Sequence, residues 1–192
     1  MRPNILFIFP DQWRADWTAL NKNLPIRTPN LVQLAKRGVW FQRAITPSPL
    51  CAPARAALAG GLEYDRCGVP NGRYNYPDGQ TTFYALLREA GYHVMGCGKF
   101  DLAKPAWGWK IDGSSRLHEW GFSEGIDSEG KWDAMASGAL APSGPYMTFL
   151  EQRGLRRVHV EDMRRRWSAA PFAGRRNNRR ACRNRTAAGP SS

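Results

Sequence analysis

Ile5-Leu6-Phe7-Ile8-Phe9 is an unbroken apolar run that stops at Pro10-Asp11-Gln12. A run with no polar alternation predicts a strand covered on both faces, as in the centre of a parallel sheet with helices on either side. The run is far too short to cross a bilayer. It lacks the longer apolar region and small-residue cleavage site of a secretory leader. The expectation is a cytoplasmic chain with no membrane partner.

The pattern that follows alternates in type. Thr28-Pro29-Asn30 predicts a helix start, with Thr28 as N-cap and Pro29 at the first helical position. Leu31, Leu34 and Ala35 then form an apolar stripe, and Gly38 stops the helix. Val39 to Ile45 predicts a second strand, and Pro47 to Pro53 a proline-punctuated loop. Ala54 to Ala59 predicts a short helix broken at Gly60-Gly61, and residues 63–79 an irregular surface stretch. Thr82 to Glu89 predicts another helix, Tyr92 to Cys97 a strand, and Pro145 to Arg153 a further helix. Strand, helix, strand, helix, strand is an α/β order. In open α/β sheets ligands bind at strand ends and the loops beyond them, which is where Asp11, Cys51 and Lys99 fall.

The chain has 192 residues, a 42% apolar fraction and a formal charge of +12. These values fit one domain with a real core. The charge is uneven. Arg175, Arg176, Arg179, Arg180, Arg183 and Arg185 lie in the final stretch with no acid among them, so about half the net charge sits there. The body is only mildly basic, and the overall charge says little about its partners. Cys51, Cys67, Cys97 and Cys182 have no paired spacing, which argues against a zinc site and against a disulfide framework.

Cys51-Ala52-Pro53-Ala54-Arg55 places a reactive residue type at a predicted helix start, with an arginine one turn on. Backbone N–H groups and the helix dipole favour an anion at such a place, so this is an anion site containing a nucleophile. Asp11, at the end of the first predicted strand, could hold a metal opposite Cys51. Taken alone, Cys51 reads as a buried structural cysteine and Lys99 as a solvated loop lysine. His93, His118 and His159 carry little weight. Trp107, Trp109 and Trp120 read as packing residues.

In their order, four blocks resemble the sulfatase family of the alkaline-phosphatase-like superfamily. They are Arg2 to Gln12; Thr28-Pro29-Asn30-Leu31 with Gly38-Val39-Trp40-Phe41; Pro49-Leu50-Cys51-Ala52-Pro53-Ala54-Arg55, which fits C-x-P-x-R; and Gly91 to Phe100. The resemblance spans roughly residues 2–125. It implies the N-terminal part of a mixed, mainly parallel sheet flanked by helices. It also implies a sulfuric ester hydrolase in which a maturation enzyme oxidises Cys51 to formylglycine. The hydrated aldehyde then attacks the sulfur of a sulfate ester, and the covalent intermediate breaks at carbon–oxygen. By the same resemblance Asp11, Gln12 and the modified Cys51 would ligate a divalent metal, calcium first and manganese second. Arg55 would hold the diol, Lys99 the sulfate, and Asn71 would be a further site residue.

Asp11-Gln12 is similar to the choline-sulfatase and phosphonate-monoester-hydrolase branches, where many relatives carry two aspartates. Asn71-Gly72 also reads as an ordinary turn pair. Asp101 stands where many relatives have histidine. It could pair with Lys99, bind a cationic substrate group or be a solvated loop acid. The family's remaining metal ligands and sulfate-site residues lie far downstream in a complete member. The expectation is therefore an incomplete, truncated α/β domain over residues 1–172, followed by an Arg-rich tail over 173–192. That tail is either disordered or an out-of-frame product with a frame change near Phe172 to Gly174. Competing readings are a phosphate or phosphonate ester hydrolase on the same scaffold, or a non-catalytic protein that binds nucleic acid non-specifically through the tail.

Overall fold

A computed structural model describes residues 2–21, 24–106 and 108–168. Trp107 and the 173–192 tail, with Cys182 and the suggested frame change, lie outside the described residues. The described elements run in the order α1 (Pro29–Arg37), α2 (Cys51–Gly60), α3 (Phe83–Glu89), β1 (Met95–Gly98), a 3-10 turn (Lys104–Ala106), β2 (Glu124–Asp127), α4 (Lys131–Gly138), α5 (Pro145–Gln152) and α6 (Arg156–Ser168). β1 and β2 pair in parallel, with Gly96 opposite Gly125 and Gly98 opposite Asp127. The class is α/β, a parallel strand pair flanked by helices, as the alternating pattern predicts.

The helices start and stop at their punctuation. Pro29 opens α1, but Thr28 does not cap it with its side chain; its Oγ1 accepts from the Ala19 amide at 2.8 Å instead. α2 starts at Cys51, before its proline, and ends at Gly61 in the left-handed region with φ 61°. Thr82 caps α3, its Oγ1 accepting from the Ala85 amide at 3.1 Å. α5 takes its cap from a distance. The buried Glu129 carboxylate accepts from the Tyr146 and Met147 amides at 3.2 and 3.0 Å.

Two apolar clusters hold these elements. The larger packs Ala52, Ala56 and Ala59 of α2 against Cys67, Val69, Tyr76, Leu102, Trp120 and Phe122. Small side chains on that face of α2 let its backbone approach the loops closely. The smaller joins α4, α5 and α6 through Ala134, Met147, Leu150 and Val160. Trp109 and Trp120 are buried, which agrees with a packing role. Among the described residues no helix is long and apolar enough to cross a membrane.

Two predicted strands do not form. Ile5–Phe9 and Val39–Ile45 contain no strand and are exposed along their length. An extended run becomes a strand only when neighbouring amides pair with it. Among the described residues the sheet consists of β1 and β2 alone. Ile5–Phe9 instead lies alongside Tyr92–Phe100, leaving a cavity of about 590 Å³ lined by both segments. The Tyr92–Cys97 strand forms in part, shifted to Met95–Gly98. β2, α4 and α6 are elements that the apolar pattern does not predict.

Among the described residues, the connection from β1 to β2, residues 99–123, contains no α-helix. It is anchored by the buried Leu102, Trp109, Leu117, Trp120 and Phe122. Two close approaches hold it and the strand pair that it joins. Gly121 has φ 104°, and a Cβ there would lie 2.2 Å from the Ala85 amide nitrogen; a Cβ on Gly125 would lie 2.1 Å from the Gly96 carbonyl oxygen.

Candidate active site

Arg55 lies on the buried side of α2, one turn beyond Cys51, and its side chain is about a tenth exposed. Its guanidinium reaches three partners. One Nη donates to the Lys99 carbonyl oxygen, and the other meets Asp11 Oδ1 at 3.2 Å. The Phe9 ring lies beneath it, with the guanidinium carbon 4.9 Å from the centroid. Arg55 therefore ties α2 to both the N-terminal segment and the exit of β1.

Lys99 follows β1 directly. Its Nζ meets Asp11 Oδ2 at 3.2 Å and Asp101 Oδ2 at 3.3 Å. Burial alone would push the Asp11 carboxyl up, but Lys99 and Arg55 outweigh it and hold the group below the usual carboxylate range. Asp101 is not a solvated loop acid. Its carboxylate is fully buried, in a residue with φ 55°, and both its oxygens lack a well-formed hydrogen bond. It pairs with Lys99, one of the partners the sequence offers, and its second neighbour is Lys104 Nζ at 3.6 Å.

Lys104, on the 3-10 turn, completes the row. Its Nζ meets Asp133 Oδ2 of α4 at 3.0 Å and lies 3.7 Å from Cys51 Sγ. Burial alone would lower its ammonium; Asp101 and Asp133 reverse that and raise it. The charges thus run Arg55, Asp11, Lys99, Asp101, Lys104, Asp133, with the Cys51 sulfur against Lys104. Asp11 and Cys51 belong to one connected row, linked through Arg55 on the same helix and through the two lysines.

Two predicted site residues stand apart. Asn71 closes its own turn, its Oδ1 accepting from the Arg73 amide at 2.9 Å. Its neighbour Gly72 packs on the Lys104 stem, with a Cβ there 3.6 Å from Lys104 Cδ. Gln12 is exposed with φ 42°, and no hydrogen bond among the described residues joins it to Cys51, Arg55 or Lys99. Cys51 is free and half-buried.

The metal expectation meets a limit here. Among the described residues no three His, Cys, Asp or Glu side chains gather as a metal site. Both Asp11 oxygens already face cations. Calcium takes about six to eight oxygens, and Asp11 with Gln12 cannot supply that shell.

Lys104 and Asp133 are the members of the row that sequence reasoning missed. The only local signal is the spacing of Lys99, Asp101 and Lys104, an acid between two lysines on one exit loop. Asp133 has no sequence signal, because α4 brings it in from a separate segment.

The arrangement is a row of alternating charges beside a helix-start cysteine, and the chain is similar in sequence to known proteins. An arylsulfatase of Clostridium perfringens is 36% identical over 104 residues, covering 52% of this chain and 21% of the relative. A choline-sulfatase of Rhizobium meliloti is 36% identical over 104 residues, covering 54% and 20%. Human arylsulfatase D is 33% identical over 110 residues, covering 52% and 18%. The chain thus spans about a fifth of the length of these curated relatives. No solved structure matches it significantly. The family model described as Sulfatase matches residues 3–133, more than half of the chain. That span holds the entire charged row from Asp11 to Asp133, and the chain belongs to the sulfatase family.

Proposed function

We propose that the protein is a sulfuric ester hydrolase of the arylsulfatase kind, with position 51 as its reacting residue. The observation that carries this reading is the placement of Cys51 at the first turn of α2, in one charged row with Arg55 and Lys99. Converted to formylglycine by a maturation enzyme and hydrated, position 51 would supply a geminal diol as nucleophile. The residue fits that modification: it is half-buried, free, and followed by Pro53 and Arg55 as the C-x-P-x-R pattern requires.

The remaining roles belong to the chain's own side chains. Lys99 keeps about a fifth of its side chain exposed, so its ammonium can meet a sulfate oxygen and offset charge as the ester bond breaks. Arg55 is nearly buried and fully engaged, so it positions Asp11 and the Lys99 backbone. Asn71 closes the turn that seats Gly72 against the Lys104 stem. A divalent metal, calcium or manganese, belongs to the proposal only as a charge that Asp11 and Gln12 would help hold.

The Asp11-Gln12 pair favours one second reading, a phosphonate or phosphate monoester hydrolase on the same scaffold. Co-expression with a formylglycine-generating enzyme tests both. The tryptic peptide spanning residues 44–55 should lose about 18 Da, the difference between CH₂–SH and CHO. An aryl sulfate should then turn over faster than a phosphonate monoester. Lys99→Ala should cost about 10²-fold in rate. An unshifted peptide mass, with aryl sulfate turnover no greater than that of Cys51→Ala, overturns the proposal.

A further inference from the structure

We propose that Lys104 is a second anion-holding residue beside Cys51, the one that faces the sulfur itself. The inference rests on the reading of position 51 as the reacting residue, and adds a group that the C-x-P-x-R and Gly91–Phe100 blocks do not contain. Of the two lysines in the row, Lys99 reaches Asp11 and Asp101, whereas Lys104 is the one in contact with Cys51 Sγ, at 3.7 Å.

Three features make Lys104 a built part of the charged row. Asp133 Oδ2 at 3.0 Å fixes its Nζ from the α4 side. Asp101 lies beneath, fully buried, with no well-formed hydrogen bond to either carboxylate oxygen, and the two ammonium groups are the cations that face it. The Asn71–Gly72 turn packs on the Lys104 stem. The carboxylates here are the more buried partners: Asp101 is 0% and Asp133 13% exposed, against 20% for Lys104. The ammonium is thus the most exposed of the three charges, and on this proposal it is the one that meets an incoming group beside Cys51. Its ligand class is a small tetrahedral or planar oxyanion carried on a substrate, such as a sulfate ester.

The test uses the full, unmatured chain, in which Cys51 is a thiol. Iodoacetate and iodoacetamide both alkylate a thiolate, forming an S–C bond and releasing iodide, but only iodoacetate carries a charge. The ratio of their rates at the 44–55 peptide cancels any change in the thiol itself and reports local anion preference. Lys104→Gln should lower that ratio about tenfold, Lys104→Arg should keep it, and Lys110→Gln, at an exposed site, should leave it unchanged. Inorganic sulfate should slow iodoacetate at Cys51 in the unsubstituted chain more than sodium chloride of equal ionic strength does. An unchanged ratio in folded Lys104→Gln overturns the inference. Where that variant does not fold, equal protection by sulfate and chloride overturns it. The alkylation ratio needs neither maturation nor turnover, so its failure is distinct from failure of the hydrolase reading.

Discussion

Asp127 is a residue whose surroundings change its chemistry. It ends β2 with its side chain buried. Burial pushes its carboxyl up to about 7; the Phe100 amide, donating at 3.2 Å, opposes this, and nearby Asp101 and Glu129 reinforce it. In the unfolded chain the same group titrates near 3.8. Between those values the folded chain keeps a proton that the unfolded chain has released, so Asp127 makes stability fall as pH rises. Asp11 has the opposite sign: its lowered carboxyl contributes stability above the unfolded value, lost as pH falls through the folded one. Half exposure of the Asp11 side chain keeps that contribution small. Asp127→Asn retains an acceptor for Phe100 and removes the titration. Urea unfolding at about pH 5 and about pH 8 should show the variant gaining stability over the unsubstituted chain at the higher pH, by a few kcal/mol at most. An identical pH slope in both chains would mean that Asp127 is already ionised at neutrality.

At the scale of elements, α3 depends on one hydroxyl. Thr82 Oγ1 accepts from the Ala85 amide and also donates to the Trp120 carbonyl oxygen, both in a buried setting. Thr82→Ala should cost about 1–2 kcal/mol, read as a lower denaturation midpoint with an unchanged slope. Thr82→Ser should recover most of the loss. The helix itself was legible in the sequence, as were Pro29 at the start of α1, Gly61 after α2 and Pro145 at the start of α5, because such residues act on the backbone within a few positions; the cap at Thr82 was not read, and the one expected at Thr28 does not form. The strands were less legible. Ile5–Phe9 has strand composition, but a strand also needs a paired neighbour, which no local pattern supplies. β2 went unseen because Glu124-Gly125-Ile126-Asp127 has one large apolar residue. α6 went unseen because its thirteen residues are mostly charged and bury only Val160. In the site, Asp11, Arg55 and Lys99 were readable from motif blocks. Lys104 and Asp133 were not, because their meeting is a product of where α4 lands.

At the scale of the whole molecule, the described residues hold two cores and two uncovered apolar segments, Ile5–Phe9 and Val39–Ile45. Leu6 is 85% and Ile8 75% exposed, close to further exposed aromatic rings of Phe7 and Phe9. Apolar area left open in a row binds hydrophobic dyes and invites association. The double substitution Leu6→Lys with Ile8→Lys should lower dye binding roughly twofold and leave unfolding free energy within about 0.5 kcal/mol. A loss of stability larger than that would mean these side chains are covered in solution.

The stretch joining the two parallel strands carries Lys99, Asp101 and Lys104, and the strand pair that it joins is held by the contact of Gly125 with Gly96. Separation of that strand pair therefore withdraws both ammonium groups together. The row should thus open as one unit, with amide exchange at Cys97 and Gly98 sharing its opening free energy with access to the buried Asp101 carboxylate.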